Sequence, residues 1–383
     1  MGTLLLLIGG WQYYQATTKF RAEISAKEKT IQELKTNLEN VGKELDILKK
    51  EDQYMRNEKL QNEVEQTNKA FSAAVKTYEE LVKIKDTAPK SSDKKIAEFE
   101  KSYAEILTML SKLNYASAQA NLAVLNKSIT AEQSAIASAF SIPATVAVNN
   151  TPPSSGYSRQ SVETSVGTYM IDIISADLNS TRVVVDTASE SDCHDNCPVD
   201  SLGSYAARSG AFAGINGPYF CPASYPSCAG KANSFDTLLM NRNKYYFNSD
   251  NNVYSTVPAV IFSGNSGRFV GASQEWGRDT GVDSVVASQP LLTLNGNRVF
   301  GGDGEPKRSG KGSRSFIGTS GNTVYIGVVH NVSAAEMAHV LQTLGISSSL
   351  NLDSGGSTAL WNSGKYIVGP GRNTPFGLLL VSK

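Results

Sequence analysis

Asp353 has the sequence surroundings most suited to chemistry. It lies in Asn351-Leu352-Asp353-Ser354-Gly355-Gly356-Ser357-Thr358, where an acid after an apolar residue runs into two glycines and two hydroxyls. Glycines free the backbone for conformations that a Cβ forbids. Successive amides in such a turn line one concavity and bind an anion. An acid beside an anion nest suits cleavage of a molecule that carries a phosphate. Two other stretches share the texture. Ala213-Gly214-Ile215-Asn216-Gly217-Pro218-Tyr219-Phe220 sets a polar side chain between glycines and an aromatic pair, and Ser313-Arg314-Ser315-Phe316-Ile317-Gly318 sets one arginine at the entry to a strand. Each residue also has a duller role to set beside this one. Asp353 can cap its own turn, Asn216 can be a left-handed backbone residue, and Arg314 can be a surface charge.

Several elements must position these residues. Ser333-Ala334-Ala335-Glu336 is a capping box. Met337, Val340, Leu341 and Leu344 then form one apolar face, and Gly345 is a natural stop, so this helix leads into the Asp353 stretch. Short β-branched runs between Gly/Asn turns predict strands at Tyr169–Ile174, Arg182–Val185, Val257–Phe262, Val282–Ala287, Leu291–Leu294 and Thr323–Val329, with a last apolar strand at Leu378–Val381. The fold class is α+β: a mostly β catalytic domain with a few packed helices, preceded by a long α-helical coiled-coil region.

That region follows an apolar stretch. Ile24, Ile31, Leu38 and Leu45 recur every seven residues, and Phe20, Lys27, Leu34, Val41, Leu48 and Met55 fall in the interleaved register. This is a coiled-coil pattern, with a register break expected around Arg56 to Lys59. Thr87 to Asp93, with Pro89, ends the helix. A second helix then runs from Ile96, becoming alanine-rich toward Phe140. The two arms fit either an antiparallel hairpin or pairing between chains. The expected division is residues 1–18, an apolar membrane anchor or signal remnant; 19–140, a helical stalk; 141–158, a Pro/Ser/Asn/Thr linker; and 159–383, the catalytic domain. Thr3 to Tyr14 is shorter than a membrane span and lacks a basic lead-in, which suggests a start extending upstream.

The bulk properties narrow the class. Across 383 residues, 36 basic and 36 acidic side chains balance to a formal charge of zero, so no nucleic-acid footprint is expected. Cys193, Cys197, Cys221 and Cys228 lie within 36 residues and fit neither usual zinc spacings nor a redox pair. Two disulfides in an oxidising compartment are the preferred account, with three pairings open and a four-cysteine metal site as the alternative. No metal or cofactor is expected.

In order and spacing, the three motif stretches resemble the phosphodiester glycosidase family. Its pattern has an Asn-Gly-Gly-Tyr-Phe segment, an Arg leading a strand that ends in Ile-Gly, and a helix running into Leu-Asp-Gly-Gly-Gly-Ser. The resemblance covers roughly residues 160–383 and takes in Leu291 to Asn297 and Arg372. Pro218 and Ser354 stand where the family has glycine; Pro218 removes an N–H and fixes φ.

The resemblance implies an extracytoplasmic hydrolase cleaving a sugar-1-phosphate diester in a glycan or cell-envelope polymer. Because a phosphate ester leaves as a stable anion, one carboxylate plus a cationic clamp can replace the usual acid–base pair. On this view Asp353, Arg314 and Asn216 are catalytic. Arg314 clamps the phosphate; Gly355, Gly356 and Ser357 supply nest amides. Asn216 and Thr358 hold sugar hydroxyls, Tyr219 lines the site, Arg372 assists with the anion, and Asp236 is a second carboxylate. The resemblance implies a phosphodiester polymer as substrate; the N-terminal segment adds the membrane as an expected partner, and the heptads add self-association through the coiled coil or a helical protein partner.

Two rivals come from other classes. A non-catalytic module on a stalk would bind a phosphorylated glycan through the same groups. Asp353-Ser354-Gly355-Gly356 also echoes serine proteases, with His194 and an acid completing a triad, but Leu352 replaces the expected glycine and Asn216 to Phe220 is left unexplained.

Overall fold

A computed structural model describes residues 2–249 and 255–383. Four helices open it: α1 (Gly2–Lys50), α2 (Asp52–Thr87), α3 (Asp93–Ser111) and α4 (Tyr115–Ala139). The chain divides into compact units of Met1–Phe71 and Ser72–Lys383, a boundary inside α2.

In the first unit the heptad side chains Phe20, Ile24, Ile31, Leu34, Leu38, Val41, Leu45 and Leu48 are all exposed. The helix breaks at Glu51, where Glu51 N–H turns to the Leu48 carbonyl at 3.2 Å, a tightened last turn; Arg56 to Lys59, where the heptad register was expected to slip, lies inside α2. The apolar run from Thr3 lies in α1, but the surroundings of most of its side chains fall outside the described residues. No described helix is long and apolar enough to cross a membrane.

In the second unit the end of α2 meets α3 and α4. Tyr103 donates to the Ala74 carbonyl at 3.1 Å and Asn126 to Thr77 Oγ1 at 2.8 Å. Ile84, Phe99, Leu122 and Ile129 are buried. One helix was expected from Ile96 toward Phe140; there are two. Leu113 takes a φ of 59° and the Asn114 side chain accepts from Ser117 N–H, so a local cap starts α4 where α3 has ended.

The β domain runs in chain order as β1 (Gly156–Thr164), β2 (Gly167–Asp177), β3 (Thr181–Thr187), α5 (Leu202–Ser209), β4 (Ala213–Asn216), β5 (Leu239–Met240), β6 (Tyr246–Phe247), β7 (Ala259–Ser263), β8 (Ser266–Val270) and β9 (Ser284–Ala287). It continues with β10 (Leu291–Leu294), β11 (Asn297–Arg298), α6 (Pro306–Ser309), β12 (Gly312–Ser320), β13 (Thr323–Val332), α7 (Ala334–Thr343), β14 (Ser348–Ser354), β15 (Leu360–Asn362), β16 (Lys365–Val368) and β17 (Phe376–Ser382). Among the described residues three sheets result, ordered β1-β2-β13-β12-β14-β10-β11, β16-β15-β4-β17-β3 and β6-β5-β9-β7-β8.

Strand alternation explains the layering, because successive side chains face opposite ways. In β2, Ile171 and Ile173 pack with Met337 and Leu341 of α7, while Ile174 and Ala176 join the central core with Ile215 and Leu378 of the second sheet. The seven-stranded sheet is therefore covered on both faces. The capping box of α7 is present in full, and Gly345 follows at a φ of 73°.

A buried charge ties the sheet's edge together. Asp172 on β2 accepts from Tyr157 at 2.5 Å and from Arg159 at 2.8 and 3.0 Å, and pairs with His330 Nε2 at 2.7 Å. Burial pushes its pKa up, but the bonds from His330, Arg159 and Tyr157 outweigh this and hold it below the ordinary value. Cys193 pairs with Cys197 and Cys221 with Cys228, which leaves no thiolate for the alternative metal site.

Candidate active site

Three strand ends from two sheets meet at Asp353. β14 delivers it, then Gly355 takes a φ of 68° and the chain turns through Ser357. The Asp353 N–H donates to the Gly217 carbonyl at 3.1 Å, fastening β14 to the segment after β4. The Asn216 amide bridges the rest. It donates to the Asp353 carbonyl at 2.7 Å, and its oxygen accepts from Ser315 Oγ at 2.6 Å and Ala359 N–H at 3.1 Å. Asn216 is buried, and these protein partners occupy the amide expected to hold a sugar. Its position makes it the pin of the Asp353 turn.

Arg314 is also placed differently from its expected role. It is 4% exposed, with Nε donating to Val332 and Nη2 to the carbonyls of Lys307, Arg308 and Gly310. Burial lowers its pKa. Held this way, it braces the α6 turn; the fork needed to grip a phosphate is turned to carbonyls.

Asp353 itself is enclosed by protein, although the residue keeps some surface. Burial pushes its pKa up to about 6, against the bonds from Ser357 and Ser354 N–H (2.8 Å) and the Arg372 charge; Asp236 adds to the rise. Asp236 is raised by its own burial, offset by Lys231 and Lys307. A backbone bridge between Phe220 and Phe235 brings it beside Tyr219. Tyr219 is pushed up to about 12, by burial first and then by Asp353, and its hydroxyl accepts from Asn351 at 2.7 Å. Asp353 thus feels one further carboxylate, Asp236, and one guanidinium, Arg372, and in turn acts on the Tyr219 phenol.

The cation here is Arg372. Its backbone N–H donates to the Gly356 carbonyl at 2.8 Å, its guanidinium lies 5.3 Å from the Tyr225 ring centre, and its buried Nε has no partner among the described residues. Thr358 donates to the Ser313 carbonyl at 3.3 Å and Ser354 to the Leu352 carbonyl at 3.2 Å. The Ser354 bond gives the protease reading no histidine partner among the described residues. Gly355, Gly356 and Ser357 form the turn beneath Asp353. Sequence reasoning missed Tyr225, Lys307 and Arg308. The signals were a tyrosine between two cysteines and a basic pair ahead of Arg314.

The phosphodiester glycosidase family model matches residues 209–381 of this chain. Among solved structures, a hypothetical protein from Synechocystis is similar at 12% identity and a TM-score of 0.42, over 59% of this chain and 62% of that one. This chain therefore spans less than two thirds of that protein. The catalytic domain of zebrafish N-acetylglucosamine-1-phosphodiester alpha-N-acetylglucosaminidase is similar at 13% identity and a TM-score of 0.47, over 61% of this chain and 85% of that one. No curated protein matches the sequence.

Proposed function

We propose that residues 159–383 form an extracytoplasmic hydrolase that cleaves the glycosidic bond of a sugar-1-phosphate diester in a glycan or cell-envelope polymer. The observation that carries the proposal is Asp353, a carboxyl raised to about 6 and set beside the half-buried Arg372 and a glycine turn. Such a group is ionised at neutral pH yet basic enough to accept a proton, which is what a general base requires.

In this reading Arg372 and the amides of Gly355, Gly356 and Ser357 hold the phosphate. Asp353 takes a proton from water while the water oxygen bonds to the anomeric carbon. The bond from that carbon to the phosphate oxygen breaks, and its electron pair leaves with the phosphate. The leaving group is a stable anion, so it needs no donated proton. Tyr219 and Thr358 line the sugar side, and Asp236 keeps Asp353 basic. Asn216 and Arg314 act as positioning residues.

The two disulfides support an oxidising compartment. The apolar N-terminal segment is proposed as a membrane attachment. The exposed heptads support self-association or a helical partner.

A panel of sugar-1-phosphate diesters assayed for free sugar tests the activity. The wild type should release sugar and Asp353→Asn should not, while both bind the ligand. Binding without release by the wild type would instead establish a phosphoglycan-binding module.

A further inference from the structure

The helical region reaches into the candidate site. Asp86, in the last turn of α2, pairs its Oδ2 with Arg372 Nη2 at 2.5 Å, the two side chains being 34% and 18% exposed. The carboxylate also lies over the glycine turn: a Cβ on Gly356 would sit 2.7 Å from Asp86 Oδ2, and one on Gly355 would sit 3.7 Å from Thr87 Cγ2. One helix face makes these contacts. Glu79, two turns before Asp86, accepts from Ser227 N–H at 3.0 Å, in the loop closed by Cys221 and Cys228 that carries Tyr225. On another side α2 is tied to α3 by Lys85 and Glu100 at 2.5 Å.

The chemistry of this contact is that of a ligand. A carboxylate is a planar anion whose oxygens accept from a guanidinium as phosphate oxygens do. It rests where a turn of glycines and an arginine converge, the place assigned above to the substrate phosphate.

We infer that the end of α2 is a built-in competitor for the phosphate subsite, with Asp86 as the stand-in anion and the helix as a plug that must withdraw before the polymer enters. The inference rests on the proposed phosphate subsite of Arg372 and residues 355–357. The plug lowers the apparent affinity by the fraction of molecules that are open. One partly exposed ion pair holding the closed state sets the effect at about three- to tenfold. Salt weakens the plug by screening the pair.

The test uses the full chain and Asp86→Asn, which keeps size and removes charge, with Glu79→Gln as a second variant that loosens the same face without touching Arg372. Two readouts are taken on proteins that melt like the wild type: the Kd for inorganic phosphate, and KM and kcat on glycosyl phosphodiesters. Asp86→Asn should lower Kd and KM by about three- to tenfold with kcat unchanged, and Glu79→Gln should shift both the same way by less. If Asp86→Asn binds phosphate more tightly but no protein releases sugar, the plug stands and the hydrolase reading falls. If all turn over alike with unchanged Kd, the hydrolase stands and the plug falls. Weaker phosphate binding in Asp86→Asn, or no binding in any protein, also overturns the plug.

Discussion

Replacing Asp353 by Asn should cost activity and add stability, and the added stability should depend on pH. Its carboxyl is displaced from an ordinary 3.8 to about 6, mainly by burial. Each tenfold change in the equilibrium is worth about 1.4 kcal/mol, so the ionised form costs the folded state about 3 kcal/mol. Partial solvent contact reduces this to about 1–3 kcal/mol. The sign follows from proton counting. Above about pH 6 the group is charged in both folded and unfolded chains, and the fold carries the full cost. Between 6 and 3.8 the folded chain holds a proton that the unfolded chain has lost, so the cost fades as pH falls. Below that window both are neutral and the cost is gone.

Asn is neutral throughout and can still accept the Ser354 N–H. In thermal unfolding, the variant should therefore melt about 2–12 °C above the wild type at pH 7.5 and level with it near pH 3.5, at about 2–4 °C per kcal/mol for a domain of this size. Activity should drop about 10²–10⁴-fold, and the wild-type rate should climb as pH rises through about 6. A variant less stable than wild type at pH 7.5, or a gain that does not fade in acid, would show that the carboxylate is well solvated. The case for Asp353 as base would then be lost.

Three other outcomes test the frame around it. Asn216→Ala strands the Asp353 carbonyl, the Ala359 N–H and the Ser315 hydroxyl without partners; calorimetry should show a loss of about 2–4 kcal/mol, along with reduced kcat, and Asn216→Asp should not rescue the donor side. Asp172→Asn takes the buried anion away from Tyr157, His330 and the exposed Arg159, and denaturant titration should find about 1–3 kcal/mol lost. Because that carboxyl is held below its ordinary value, the stability it brings is present above pH 3.8 and is lost as pH falls through the lower folded value, so the gap between wild type and variant should close in acid. Gly355→Ala at a φ of 68° should cost about 1–2 kcal/mol in urea unfolding, and an unchanged midpoint would mean the turn has relaxed.

The features legible beforehand are those written in consecutive residues. Ser333 and Glu336 cap one helix with their own neighbours, so α7 was readable from four positions. β2 and β3 declare themselves through β-branched runs and the turn at Asp177 to Ser180. β1 was missed because its sequence, Gly-Tyr-Ser-Arg-Gln-Ser-Val-Glu-Thr, has no apolar alternation. It is a strand because its full length pairs with β2, and tertiary pairing overrode a weak local preference. The split between α3 and α4 turned on one left-handed Leu113, a conformation no composition rule favours.

The site divides along the same line. Its turn was legible because Gly355 must be glycine for local reasons. What each polar side chain touches was not, since those partners come from other strands. Asn216 meets residues more than ninety positions away, and Asp86 meets Arg372 across 286. Residue type told which atoms are available, and topology decided which remain available to a ligand. Arg314 and Arg372 look alike in sequence. One is surrounded by carbonyls of a neighbouring turn, so its charge supports the scaffold. The other keeps a buried Nε without a partner among the described residues and pairs with Asp86 beside the glycine turn. In the proposed mechanism that difference gives the cationic role to Arg372 in place of Arg314, and it makes the anion on Arg372, Asp86, the residue whose removal says most about what the site binds.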